Sequence, residues 1–315
     1  MKKNSQEVSA SVYHKPVLVS QVIEYLDIKP YGIYVDVTFG GGGHTRAILE
    51  HEPTCQVIAF DWDQHTLELH QEKFEQEFPG RIRFIWGNFA RIDHLLKKNF
   101  NITQVDGILA DFGTSQYQIK EQPGFSFAKD SYLDMRMSTA HQKVTAAYIL
   151  NTYSAEKLAD IFWRYAQERY SRQIAKEIVE RRKKKKFSYT LELAQLIEHI
   201  VPSPKFQRKK IHPATRIFQA LRIEVNKELE NIHGFLVAAL RIVRPGGHIV
   251  CISFHSLEDR IVKEFISTHK CIVSKGVRPL TKKIVMASHN EISENPSSRS
   301  ARLRAAQVCL AENTD

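Results

Sequence analysis

Four consecutive glycines, Gly40 to Gly43, follow the strand-like run Ile33-Tyr34-Val35-Asp36-Val37-Thr38-Phe39 and precede His44-Thr45-Arg46-Ala47-Ile48-Leu49, whose apolar spacing predicts a helix. Glycines let the backbone turn sharply and approach a ligand closely. The helix start offers free N–H groups and the positive end of a dipole. A second apolar run, 57–60, ends in Asp61, twenty-one residues beyond Gly40. A nucleotide-binding β-α-β unit places the carboxylate that holds a ribose diol at about that spacing. Asp63 competes for the role, but Asp61 sits directly at the strand end. The third glycine of G-x-G-x-x-G is missing, which disfavours a dinucleotide. Glycines and Asp61 together favour a nucleoside ligand over a bare tight turn.

Two more strand ends point into the same crevice. Phe89 follows the run 82–86 and is placed to pack on an adenine ring, or equally to be ordinary core. Asp111 closes the run 105–110, where a carboxylate can accept hydrogen bonds from an amine; its alternative is a helix cap. His255 and Ser256 lie at a strand-to-helix turn. They suggest a hydrolase, but no G-x-S-x-G elbow is present. Ser256 capping a helix with Glu258 and Asp259 in its first turn explains them without chemistry.

These residues need a frame. Pro16 opens an apolar-periodic stretch to Leu26, with proline in a first-turn position. A helix is predicted over 63–78 between strands, a late strand over 248–253 after the turn Arg244-Pro245-Gly246-Gly247, and a helix over 257–266. Continuous apolar strands alternating with helices predict a parallel sheet covered on both faces, an α/β doubly wound Rossmann-like fold. Between about 130 and 212 only helical faces are evident, at 146–150, 158–165, 174–182 and 191–201. That stretch predicts an inserted helical subdomain, residues 129–212, with 1–128 and 213–315 forming the sheet domain.

Across 315 residues, 45 Lys+Arg against 35 Asp+Glu give a net charge of +10. An excess of this size suits a polyanion, nucleic acid before an anionic membrane, although it can also serve solubility alone. The runs Arg181-Arg182-Lys183-Lys184-Lys185-Lys186 and Lys205-Phe206-Gln207-Arg208-Lys209-Lys210, and Arg299, Arg302 and Arg304, are basic clusters that either face solvent or track phosphates. Cys55, Cys251, Cys271 and Cys309 are scattered, which argues against a disulfide framework and a Cys-rich zinc site. Fourteen histidines fall in no metal-ligand spacing, so no metal is expected. No signal peptide or long apolar span is evident, and a soluble, cytoplasmic protein is expected.

The segments together resemble the bacterial family of S-adenosylmethionine-dependent methyltransferases that modify N4 of a cytidine in the decoding region of 16S rRNA. The resemblance is carried by His14-Lys15-Pro16-Val17-Leu18, by 35–44, by Gly124-Phe125-Ser126-Phe127 and Leu133-Asp134-Met135-Arg136-Met137, by 212–223 with Val225-Asn226, and by 253–263. It implies a class I methyltransferase sheet with an inserted helical domain that helps hold RNA. It implies cofactor contacts from Gly42, Gly43, His44, Asp61, Phe89, Asp111 and Gln118; of these, His44 and Gln118 rest on the resemblance alone. The implied partners are 16S rRNA and the small ribosomal subunit, with the oligomeric state open between monomer and homodimer. The chain departs from the family's usual pattern at Pro123, at 112–116 and at 165–168. The expected reaction is in-line methyl transfer to the N4 amine, with Asp111 as first candidate acceptor, His255 and Ser256 as helpers, and Asp134 as a weaker one. A nicotinamide dehydrogenase, a purely RNA-binding module, and a methyltransferase of protein or DNA are the rivals.

Overall fold

The computed structural model describes residues 15–114, 116–202, 212–271 and 275–310. The second basic run, 205–210, and His14 lie outside them. Eight strands form one sheet: β1 (Ile33–Asp36), β2 (Gln56–Asp61), β3 (Ile82–Trp86), β4 (Val105–Asp111), β5 (Val243–Ser253), β6 (Gly276–Pro279), β7 (Val285–Met286) and β8 (Arg302–Cys309). Their order is β3-β2-β1-β4-β5-β8-β6, with β7 beside β8. The first five strands are parallel, and β8 runs antiparallel between β5 and β6. The order reverses between β1 and β4, which opens a crevice at the carboxyl ends of the strands. This is the doubly wound, Rossmann-like sheet expected.

The first half of the chain also holds α1 (Val19–Leu26), which lies against β4 and β5, then α2 (Gly43–His51), α3 (Gln64–Glu77), α4 (Ile92–Phe100) and the short α5 (Gln116–Glu121). The helical stretch holds α6 (Ala146–Thr152), α7 (Ala155–Ala166), α8 (Ser171–Lys184), α9 (Thr190–Ile200) and α10 (Ala214–Asn226). After it come α11 (Glu228–Ile242), α12 (Ser256–Thr268) and α13 (His289–Glu294). One buried cluster joins the sheet to α4, α11 and α12, and another joins its opposite face to α1, α2 and α3. A third is built from α6 to α10 with Leu133 and Met135. Because Ile217, Phe218 and Leu221 belong to that third cluster, α10 packs with the helical unit, beyond the limit expected at 212.

Three expectations need correction. Pro16 is not in the first turn of a helix: Val17 and Leu18 are buried, Leu18 is left-handed (φ 54°), and α1 starts at Val19. Cys271 and Cys309 form a disulfide, 6.1 Å between Cα atoms. Local spacing hides it because the pair is assembled by β6 and β8, whose register sets Gly276 opposite Cys309. Arg304 is not part of a free basic cluster: on β8 it grips Asp259 of α12 with bonds of 2.6 and 3.2 Å.

Candidate active site

The glycine turn is held from below by Asp36, a fully buried carboxylate at the end of β1. Its Oδ1 accepts from the Thr38 N–H (3.1 Å) and its Oδ2 from the Thr45 hydroxyl (2.7 Å), so strand end and first turn of α2 hang on one side chain. Burial raises its pKa, against the pull of His44 and these bonds. Thr38 passes the constraint on, since its hydroxyl accepts from the Asp111 N–H at 2.7 Å. The ends of β1 and β4 are thereby fixed to each other. Asp36 was not singled out from the sequence, although a charge inside a continuous apolar strand is a signal that it has a partner.

Asp61 ties the other side of the turn. Its Oδ2 accepts from the Gly40 N–H and its Oδ1 from the Asp63 N–H, both at 2.8 Å. Gly40 needs no Cβ because its φ is +52°. Burial pushes the Asp61 carboxyl up to about 7, against those two bonds. Asp63 is occupied elsewhere: it caps α3 and accepts from Gln122 at 2.5 Å. Of the two carboxylates, Asp61 is the one that lines the crevice.

Across the crevice stands Asp111. Its Oδ2 is 3.8 Å from His44 Nδ1, while its Oδ1 is buried with no hydrogen-bond partner. His44 is fixed by a 2.8 Å bond to the Val17 carbonyl, so Nε2 carries the hydrogen and Nδ1 turns toward Asp111. Burial pushes the Asp111 carboxyl up to about 7; His44 pulls it down, and Asp36 and Glu258 push it further up.

Gly43, His44, Asp61, Phe89, Asp111 and Gln118 all line this crevice, with Trp62, Met137 and Phe254 completing it. Phe89 is at once wall and core, packed edge-on to Phe235. Gly42 stands apart. Its N–H is given to the Phe39 carbonyl, its φ is +75°, and a Cβ there would lie 2.3 Å from the Phe74 ring. It makes the turn and is not part of the wall.

Met137 was missed by sequence reasoning. It is delivered by Asn226, fully buried at the end of α10, whose amide oxygen accepts from the Met137 N–H and whose amide nitrogen donates to the Met135 carbonyl (2.8 and 2.7 Å). Met135 takes a left-handed φ of 64°, a conformation an ordinary side chain adopts only when its surroundings hold it. Free space between the crevice walls is about 120 Å³. Typical ligand pockets exceed ~300 Å³, and Met137 and Phe254 close the crevice to less than that. A second cavity of about 610 Å³ adjoins it and shares Gly113, Thr114 and Phe254.

His255 and Ser256 are not brought to the crevice. The His255 ring caps α12, accepting from the Glu258 N–H at 3.4 Å, and Glu258 accepts in return from the Phe254 and His255 N–H groups. Burial raises Glu258, but His255, the Phe254 N–H and Arg222 outweigh it and hold its carboxyl below the usual range. Glu228 is gripped by Arg222 at 2.7 and 2.9 Å, and Arg222 also donates to Thr114 (3.1 Å). Asp134 is spent on a bidentate pair with Arg136.

The helical unit uses part of its first basic run internally. Arg182 donates to the Leu150 and Tyr153 carbonyls, and Lys185 pairs with Glu192.

A family model described as the MraW methylase family matches residues 11–309. The chain belongs to the MraW methylase family. Proteins named ribosomal RNA small subunit methyltransferase H are 47% identical in Thermotoga neapolitana, 44% in Caldicellulosiruptor bescii and 43% in Ehrlichia chaffeensis. The alignments cover 94%, 93% and 93% of this chain and 96%, 98% and 98% of those relatives. The sheet order described above is thus that of a member of a methylase family.

Proposed function

We propose that the crevice binds S-adenosylmethionine and that this methylase modifies N4 of a cytidine in the decoding region of 16S rRNA, on the small ribosomal subunit in the cytoplasm. The observation that carries the cofactor is the buried, unpartnered Oδ1 of Asp111 facing Asp61 across the glycine turn. Among the described residues no lysine or arginine lines the crevice. Such a wall suits a ligand that brings its own positive charge and N–H donors, and it is unfavourable to the phosphates of a dinucleotide. S-adenosylmethionine supplies a methyl group made electrophilic by a sulfonium.

Asp61, preorganised by two backbone donors, keeps free lone pairs for a ribose diol. Phe89 and Trp62 form apolar walls for a purine ring. An exocyclic amine on a pyrimidine is a poor nucleophile, because its lone pair is delocalised into the ring. Rate therefore comes from aligning N4 with the methyl and from an acceptor for the N4 proton. As the N–C bond forms and the C–S pair returns to sulfur, N4 loses one proton, and we assign its capture to Asp111. A carboxyl near pH 7 is suited to that step. The target base must leave its stack to reach the crevice, and the second cavity is the space beside it. His255 and Ser256 receive no chemical step; they hold the start of α12.

Small subunits purified from cells lacking the gene, incubated with the enzyme and labelled S-adenosylmethionine, should gain one methyl that mass spectrometry maps to N4 of a cytidine. Labelling of another RNA, of a protein, or of nothing would remove the substrate assignment.

A further inference from the structure

A groove of about 760 Å³ runs between the end of α7, the face of α10 and the start of α12. Four arginines line it, Arg164, Arg169, Arg216 and Arg260, and no carboxylate is among its described lining residues. Arg164 pairs with Asp160 at 3.3 Å. The other three are exposed, and among the described residues no carboxylate pairs with them. On the same helical unit Lys183 pairs with Glu180 and Lys227 with Glu224. Trp163 lies at the same groove with 57% of its surface exposed, although its neighbour Phe162 is fully buried. A large aromatic beside unpaired guanidinium groups is the combination that binds single-stranded nucleic acid, by stacking and phosphate pairing. The N-terminal end of α12, a helix of thirteen residues, faces the groove and adds its dipole.

The groove is also continuous with the catalytic crevice. It shares Gln219 and His255 with the second cavity, which in turn shares Gly113, Thr114 and Phe254 with the crevice. Arg216, Gln219 and Arg222, one turn apart on α10, step along that route from the groove inward to Thr114.

We propose that this groove is the subsite for the nucleotides flanking the target base, with Trp163 as stacking face and Arg216 and Arg260 as phosphate ligands. The assignment rests on the rRNA reading above and adds the path of the strand to it. A base placed in the second cavity leaves its neighbour at the groove, where two guanidinium groups meet the intervening phosphates.

The test measures the Kd of the full-length protein for small subunits from cells lacking the gene, across a salt series, alongside methyl transfer. Arg216→Ala/Arg260→Ala should raise Kd about tenfold or more and flatten the log Kd against log salt slope by about two, one for each phosphate no longer neutralised. Trp163→Ala should raise Kd about tenfold with the slope unchanged, as removal of a stacking face does. Lys97→Ala/Lys98→Ala on α4, with the same change of charge outside the groove, is the control, and S-adenosylmethionine affinity reports folding in every variant. A double arginine variant with wild-type Kd and slope overturns the proposal, as does a control that flattens the slope equally. Wild-type protein that binds subunits through these arginines yet transfers no methyl removes the reaction and leaves the groove.

Discussion

The crevice and the groove treat charge in opposite ways. The crevice has two carboxylates and, among the described residues, no lysine or arginine in its wall. Asp36, Thr38, Asp61 and the backbone of the glycine turn are bonded to one another, while Asp111 Oδ1 and Trp62 Nε1 are buried without a partner. The groove has four arginines, no carboxylate among its described lining residues, and three guanidinium groups without a carboxylate partner there. A small ligand is positioned by acceptors that cannot move, so the crevice uses its hydrogen bonds on rigidity. A polyanion is held by cations that need only be near, so the groove leaves its charges open to water and salt. Preorganisation and steering are thereby assigned to different parts of one surface.

The sharpest way to break this contrast is at the orphan acceptor. Asp111→Asn should lower kcat by about 10²–10⁴ while leaving subunit affinity unchanged; an unchanged kcat would show that Asp111 takes no proton. The same variant should be more stable than the wild type at pH 8. A carboxyl whose folded pKa is raised keeps its proton while the unfolded chain releases it, so stability falls as pH rises from about 4 to about 7. Asn removes that penalty, on the order of 4 kcal/mol above pH 7 and nothing below pH 4, which chemical denaturation at the two pH values would read.

Next in size is Asp61→Ala, expected to weaken S-adenosylmethionine binding at least 100-fold by calorimetry, because both the ribose acceptor and the anchor of the Gly40 N–H go. Retained binding would move the cofactor away from the glycine turn. In the wild type, the same Kd should rise by up to about a hundredfold per pH unit as pH falls well below 7, where Asp61 and Asp111 each take up a proton, and should level off above it. A flat profile would count against both carboxylates as ligands. The smallest effect lies far from either region. Cys309→Ser should cost about 2–4 kcal/mol in oxidising buffer and almost nothing in reducing buffer, which a pair of thermal melts would compare.

Much of the crevice could be read in the chain because its signals are local. Glycines after a strand, a carboxylate at the next strand end, and a second one at Asp111 each announce themselves within a few residues. The helices of the insertion were equally plain in their apolar periodicity. Contacts assembled by distant segments were not legible. Asp36 reads as an interruption in a strand until Thr45 is seen to need it. In 302–309, Leu303 and Ala305 are buried on one face of the sheet and Ala306 and Val308 on the other, a strand pattern that Arg302 and Arg304 disguised as a basic cluster. Gly42 was grouped with the ligand-facing glycines because sequence cannot tell which of four carries the turn.

Helix α10 belongs by packing to the helical unit, yet Asn226 at its end holds the loop of Met137 and Arg222 holds Thr114, both at the crevice. One rigid rod therefore touches both binding surfaces. Any tilt of it that a substrate prefers is felt by the cofactor, and thermodynamic reciprocity then makes the factor by which each tightens the other the same in both directions.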